Sequence, residues 1–200
     1  MQVDGWWVPF DNAVTRRNLQ VPSDIYPQVL SVVKGRNQAL DCGAFVGTWT
    51  REMVRDFASV VAVEMDPVNA ACLAKNAPGA KIIQGALTDK TGPVHYGPDE
   101  YPDSPIYCAL GDGKKVAEAV LIDSLGLSPD FIKLDIQGYE TFALRGARET
   151  LLRCKPVLFF EHKAKCLLRY GLDGSELPAM LTDLGAHEMA KFGSDRLWGW

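Results

Sequence analysis

Residues 41–50 read DCGAFVGTWT, a glycine turn set between an apolar run and an amphipathic one. The run QALDCGA (38–44), which overlaps its start, reads as a short β-strand ending at the glycine turn. The stretch after it, TWTREMVRDFA (48–58), places Trp49, Met53, Val54 and Phe57 at spacings of three or four, with Arg51, Glu52, Arg55 and Asp56 opposite. That spacing predicts one apolar face of a helix. Strand, tight turn, helix is the opening unit of an α/β domain.

The same alternation continues outward. SVVAVEMDP (59–67) reads as a strand stopped by Pro67, VNAACLAKNA (68–77) as a helix ended by Pro78 and Gly79, and AKIIQGAL (80–87) as a third strand. Residues 91–115, rich in proline, glycine and aromatic residues, break the rhythm and predict a lid or hairpin insertion, with Asp112-Gly113 as its turn. VAEAVLIDSLGL (116–127) fits either a strand or a short helix. DFIKLDI (130–136) is a strand, 138–154 a helix, PVLFFEH (156–162) a strand, 175–185 a helix closed by glycine, and the tail from His187 an antiparallel hairpin. Residues 1–37 form an N-terminal cap segment of a single domain spanning 1–200.

Alternating strands and helices imply right-handed crossovers and a mostly parallel, doubly wound sheet covered on both faces. Ligands in such folds sit beyond the carboxyl ends of the strands. The candidate site positions are therefore Asp41 to Gly43, Glu64, Gln84 to Ala86, Lys133 to Gln137, and Glu161 with His162.

Composition narrows the ligand. The chain has 200 residues, 47% of them apolar and 23% charged, enough for one domain with a full core. A formal net charge of −4 makes nucleic acid an unlikely partner. Five scattered cysteines without a C-x-x-C pair suggest neither a disulfide framework nor a zinc site, and point to a reducing cytoplasm. No basic-then-apolar leader and no membrane-length apolar run is present, so a soluble, cytoplasmic protein is expected, with no indication of its oligomeric state. His95 and His187 have no nearby ligand partners, and no metal site is assigned.

The glycine turn does not fit the common phosphate loops. Counting from Gly43, the second and third glycine positions of a dinucleotide fingerprint hold Phe45 and Thr48, and the Gly-Lys of a P-loop is replaced by Thr48-Trp49. What stands is D-x-G-x-x-x-G, followed about 20 residues on by an acid, Glu64, at the end of the next strand, as in ribose recognition. A ligand with a ribose, no phosphate, and tolerance for an acid beside the turn is S-adenosylmethionine.

The chain resembles class I methyltransferases with a Rossmann-like fold. FIKLDIQGYETFALRGARETL followed by PVLFFEH is similar to the signature of FkbM-type methyltransferases, with DCGAFVGTWT, VVAVEMDP and GALTDKTG in the expected order over roughly residues 38–162. Gln137 stands where that family commonly has glutamate. The resemblance implies that Gly43, Ala44 and Gly47 let backbone approach the methionine part of the cofactor, whose carboxylate takes N–H groups at the helix start. Asp41 and Asp135 meet its ammonium or sulfonium side, Glu64 the ribose, and Met65 with Gln84 to Leu87, including Gly85 and Ala86, the adenine. Asp89 is a weaker candidate near the base.

For an acceptor hydroxyl the first choice of general base is His162, with Asp135 and Glu161 in reserve. The resemblance implies O-methylation of a small-molecule or glycan acceptor, such as a sugar or natural product. N-methyl transfer is the nearer alternative, weakened by the absence of an N-P-P-Y type element. A cofactor-binding module without turnover is the other. Glu140 reads as structural, pairing with Lys133 or Arg145. Trp6, Trp7 and the aromatic residues of 95–107 are candidates to line the acceptor pocket.

Overall fold

The computed structural model describes residues 1–19, 25–98 and 108–200. The central sheet has seven strands: β1 (Gln38–Cys42), β2 (Ser59–Glu64), β3 (Lys81–Gln84), β4 (Phe131–Leu134), β5 (Val157–Glu161), β6 (His187–Phe192) and β7 (Asp195–Gly199). Their order is β6-β7-β5-β4-β1-β2-β3, and every pairing from β3 to β5 is parallel. β7 runs antiparallel between β5 and β6, closing the C-terminal hairpin. This is the doubly wound, mostly parallel sheet expected.

The strands are apolar on both faces because helices cover both; the described helices begin with α1 (Ala13–Asn18), and α7 (Ala164–Leu168) follows β5. Leu40, Val61, Ile132, Leu134, Leu158 and Phe160 enter one core with residues of α5 (Glu140–Arg145), α6 (Arg148–Cys154) and α8 (Glu176–Asp183). Their alternate neighbours Ala39, Val60, Phe131 and Phe159 enter the other, against α2 (Ile25–Val32) and α3 (Thr48–Asp56). Period two along each strand thus sorts every side chain to one face, a rule that decides the fate of several site candidates below. In α3, Trp49 and Met53 are buried as the spacing requires, and Phe57 follows as an extended cap. α4 (Pro67–Asn76) starts on an Asp66 cap, whose carboxylate accepts from the N–H groups of Val68 and Asn69 at 2.9 and 3.2 Å.

Two segments differ from the sequence expectation. The single helix over 138–154 is broken at Gly146 into α5 and α6. The Gly146 carbonyl accepts from the N–H of Asp123 at 2.9 Å, and the Asp123 carboxylate caps the N–H groups of Glu149 and Thr150 at 3.0 and 2.8 Å. Tertiary caps outweigh helical continuity there.

The insertion is a small sheet in place of a hairpin. Pro93–Pro98 lies between Cys108–Leu110 and Lys115–Val120, antiparallel to both, and Ala86–Leu87 joins the outer edge of Lys115–Val120. Asp112-Gly113 therefore does not turn one strand back on its neighbour. It crosses over the middle strand, so closely that a Cβ on Gly113 would come within 1.9 Å of the Tyr96 carbonyl oxygen. The open stretch 116–127 resolves into strand to Val120, then a 3₁₀ turn over Ile122–Leu125. Tyr101 and Tyr107, among the acceptor-pocket candidates, lie outside the described residues.

Candidate functional site

A cavity of about 880 Å³ opens along the carboxyl ends of β3, β2, β1, β4, β5 and the start of β7. It is within the size range of cofactor sites.

The glycine turn forms its floor. Gly43 has φ +73°, and a Cβ there would come within 2.1 Å of the Asp135 carbonyl oxygen, so only glycine lets β1 and β4 end side by side. Ala44, Phe45, Thr48 and Trp49 also line the cavity. Gly47 does not. It has φ +97° at the start of α3, packed on Leu73.

The turn's own N–H groups are largely committed. Those of Gly43 and Ala44 donate to the Val63 carbonyl at 3.0 and 3.1 Å, and that of Phe45 to Glu64 Oε2 at 2.9 Å. The start of α3 has no side-chain cap, and its first residues, Thr48 and Trp49, line the cavity.

Asp41 is placed differently from the expectation. Period two turns it onto the α3 face beneath the loop, where it is fully buried and outside the cavity lining. Its Oδ2 accepts from Thr50 Oγ1 at 2.6 Å and its Oδ1 lies 3.3 Å from Lys133 Nζ. Lys133 also donates to the Gly43 carbonyl at 3.1 Å, tying this buried pair to the turn. Burial favours a neutral Lys133, but Asp41 and Asp135 outweigh it and hold the ammonium above its usual range.

Glu64 lines the cavity at the end of β2. Its Oε1 accepts from the Asp66 N–H at 2.9 Å, and burial, against these N–H donors, raises its carboxyl to about 7. Met65, Gly85, Ala86 and Leu87 line the same end. Asp89 is not among the lining residues. Lys115 of the insertion reaches back to Asp66 at 2.7 Å, and Cys108 and Leu110 of the insertion form part of the wall.

At the other end stand Asp135, Glu161 and Asp195. Glu161 is 8% exposed, its Oε1 ion-paired with Lys163 and its Oε2 buried with no hydrogen-bond partner among the described residues. Burial, then the charge of Asp135, raises it to about 8. Gln137, at φ +59°, donates from Nε2 to Asp135 Oδ1 at 3.1 Å.

His162, the first choice of base, is not in the cavity lining. One residue past Glu161, it points to the opposite face of the sheet, where Nε2 lies 2.9 Å from the Gly174 carbonyl oxygen. Burial lowers its pKa despite that contact. Glu140 pairs with neither Lys133 nor Arg145. Its Oε1 accepts from the N–H groups of Ile136 and Gly138 at 2.8 and 3.3 Å, fixing the loop after β4, and burial raises it to about 7.

Trp6 and Trp7 also sit elsewhere: Trp6 lies against Arg51, and Trp7 against Lys75 with its N–H on Asn76 Oδ1 at 2.8 Å. The wall is supplied instead by Arg17, Asn18 and Ile25 of the N-terminal segment, with Tyr139 and Phe159. Sequence reasoning missed these and Asp195. Asp195 had a usable signal, since an antiparallel β7 beside β5 brings its first residue to the tip of β5.

Among the described residues no helix is long and apolar enough to cross a membrane. The family model for the methyltransferase FkbM domain matches residues 41–184. No curated protein matches the sequence. Among solved structures, an FkbM methyltransferase from Methylobacillus flagellatus is similar over 82% of this chain and 43% of its own, at 18% identity and TM-score 0.56. The chain thus spans less than half of that protein. A precorrin-6y C5,15-methyltransferase from Geobacter metallireducens is similar over 98% of this chain and 95% of its own, at 11% identity and TM-score 0.55. DhpI, in complex with SAH, is similar over 88% and 83%, at 14% identity and TM-score 0.51. At these identities the likeness is one of fold, which is that of class I methyltransferases. With most of its length matched by the family model, the chain belongs to the methyltransferase FkbM domain family, whose methyl donor is S-adenosylmethionine.

Proposed function

We propose that this chain methylates a hydroxyl oxygen of a small molecule, such as a sugar or natural product, with Glu161 as general base. The observation that carries the reading is Glu161 Oε2, a buried carboxylate oxygen with no hydrogen-bond partner among the described residues, on a side chain that lines the cavity end away from Glu64. A carboxyl raised to about 8 is matched to taking a proton near neutral pH. Bound S-adenosylmethionine supplies an activated methyl on a sulfonium, whose sulfur leaves as a neutral thioether. The acceptor oxygen gains the methyl as its proton passes to Glu161 Oε2.

The other residues align and hold. Glu64 accepts from the ribose hydroxyls while keeping the turn in place through the Phe45 N–H. Met65 and Gly85 to Leu87 flank the base. The uncapped start of α3, at Thr48 and Trp49, receives the methionine carboxylate. Asp135 faces the cationic side of the cofactor. Asp41 acts from below, through Lys133, on the carbonyl of Gly43.

The test is product analysis by mass spectrometry with labelled S-adenosylmethionine and a panel of hydroxylated acceptors. O-methyl ether formation that falls in Glu161→Gln is the expected result. Methyl found only on nitrogen, or full activity in Glu161→Gln, overturns the reading.

A further inference from the structure

Three carboxylates stand in one lateral row on the cavity side of the sheet. The ladder pairs Glu161 of β5 directly with Asp195 of β7, and the register that pairs Leu134 with Phe160 carries Asp135 alongside Glu161. Directly opposed side chains in a sheet are roughly 5 Å apart, and like charges there repel. Asp135 contributes to raising both Glu161 and Asp195, after burial in each case.

Positive charge among the described residues compensates this row only in part. Lys163 pairs with one oxygen of Glu161, Lys133 is turned to Asp41, and Gln137 brings Asp135 a neutral donor. Glu161, more than nine-tenths buried, lines the cavity, and its Oε2 has no hydrogen-bond partner among the described residues.

Strand spacing says which ligand meets this row. Neighbouring strands are about 4.8 Å apart. From Glu64 on β2, the order β2-β1-β4-β5-β7 puts Asp135 about 10 Å away, Glu161 about 14 Å and Asp195 about 19 Å. A nucleoside with its ribose at Glu64 and its methionine over the turn after β1 ends near β4. Glu161 and Asp195 lie beyond it, on the acceptor side.

We propose that the acceptor carries a protonated amine next to the hydroxyl that is methylated, as in an amino sugar or other amino alcohol, with the ammonium held by Asp195 and the hydroxyl presented to Glu161. The amine stays protonated and takes no part in bond making. This rests on the O-methyl transfer proposed above. A neutral polyol brings no charge to this row, whereas an ammonium offsets Asp135 and Asp195, favours the ionised form of Glu161 that takes the proton, and gains charge-assisted hydrogen bonds.

The experiment is titration calorimetry on protein loaded with S-adenosylhomocysteine, near neutral pH, with glucosamine, N-acetylglucosamine and glucose as probes. Glucosamine is expected to bind at least roughly tenfold more tightly than either neutral sugar, a preference that weakens with salt and disappears in Asp195→Asn. Retained S-adenosylhomocysteine affinity in that variant shows that it has folded. Equal binding of the three probes, binding of none, or a preference that survives Asp195→Asn overturns the proposal. Product analysis with S-adenosylmethionine separates the two readings. Equal O-methylation of neutral sugars removes the ammonium site and leaves O-transfer standing, whereas N-methylation of glucosamine removes both.

Discussion

Lys133 and Asp41 face each other directly across β4 and β1, both buried, Nζ 3.3 Å from Oδ1, with the ammonium also holding the carbonyl of Gly43. A strand-tip acid expected to touch the cofactor is thus the lower half of a prop under the cofactor loop. Removing one partner of a buried pair costs about 3–5 kcal/mol, because the other charge is stranded. Lys133→Met is expected to lower the unfolding free energy in urea by that order, and Asp41→Asn combined with Lys133→Met to recover much of it. A loss no larger than about 0.5 kcal/mol, the range of a featureless surface change, would remove the pair from this role.

Glu64, unlike Asp41, does reach the cavity. Glu64→Ala is expected to weaken S-adenosylmethionine binding by about 1.5–3 kcal/mol, the worth of a hydrogen bond to a charged group, or roughly 10- to 150-fold in Kd. Calorimetry checks this, and unchanged affinity would take Glu64 out of ribose recognition.

Glu161 and His162 are adjacent in sequence and on opposite faces of the sheet, so their variants separate cleanly. Glu161→Gln is expected to lower turnover by about 10²- to 10⁴-fold and to abolish the limb of the pH–rate profile near 8. His162→Ala is expected to leave turnover within a few-fold of the parent, since the ring lies against Gly174 outside the cavity. Steady-state rates across pH distinguish the two, and the reverse ranking would restore His162 as base.

The buried carboxyls also set a pH dependence of stability. Glu64 and Glu140 are raised to about 7 and Glu161 to about 8, chiefly by burial. Each group binds its proton more tightly folded than unfolded. The stability it contributes is therefore complete below the ordinary carboxyl value of 4.5 and is lost as pH rises through about 7 to 8. Melting temperature of the cofactor-free protein is expected to fall from pH 6 to pH 8.5, and Glu161→Gln to flatten the upper part of that slope. A melting temperature that climbs over this interval would contradict the assigned shifts.

The mostly parallel, doubly wound sheet and the place of the cavity were legible because both follow from the alternation of apolar runs and turns, which local chemistry dictates. QALDCGA, VVAVE, FIKL and PVLFFE are apolar enough to be strands covered on both faces, and their carboxyl ends are where the cavity lies. The direction of individual side chains was less legible, since a one-residue difference in where a strand ends exchanges faces. Taking β5 to run through His162 put the imidazole at its tip, whereas the strand ends at Glu161 and the histidine turns away. Asp41 is on the cavity face, directly across from Lys133, but two residues short of the layer that holds Asp135 and Glu161, and so lies beneath the loop. Arg17 and Ile25 enter by long-range packing with no local motif, so nothing in their own stretches marks them, and Asp195 is marked only through the pairing of β7 with β5.

Gly43 offers the sharpest test of the turn. Its φ of +73° disfavours any side chain, and a Cβ would come within 2.1 Å of the Asp135 carbonyl oxygen, a backbone atom held in turn by the Asp135 N–H on the Cys42 carbonyl at 3.0 Å. That backbone carbonyl cannot yield by a rotamer change, so Gly43→Ala has to push the tips of β1 and β4 apart. Lys133 Nζ would lose its reach to the Gly43 carbonyl, and the Phe45 N–H its alignment with Glu64. The expected outcome is destabilisation of about 1–3 kcal/mol from backbone strain and loss of measurable S-adenosylmethionine binding by the protein that still folds. Gly92→Ala, at φ +94° with open space around it, carries the conformational strain alone and is the control. Equal cofactor affinity in the two variants would show that the approach of β1 to β4 is not what shapes the site.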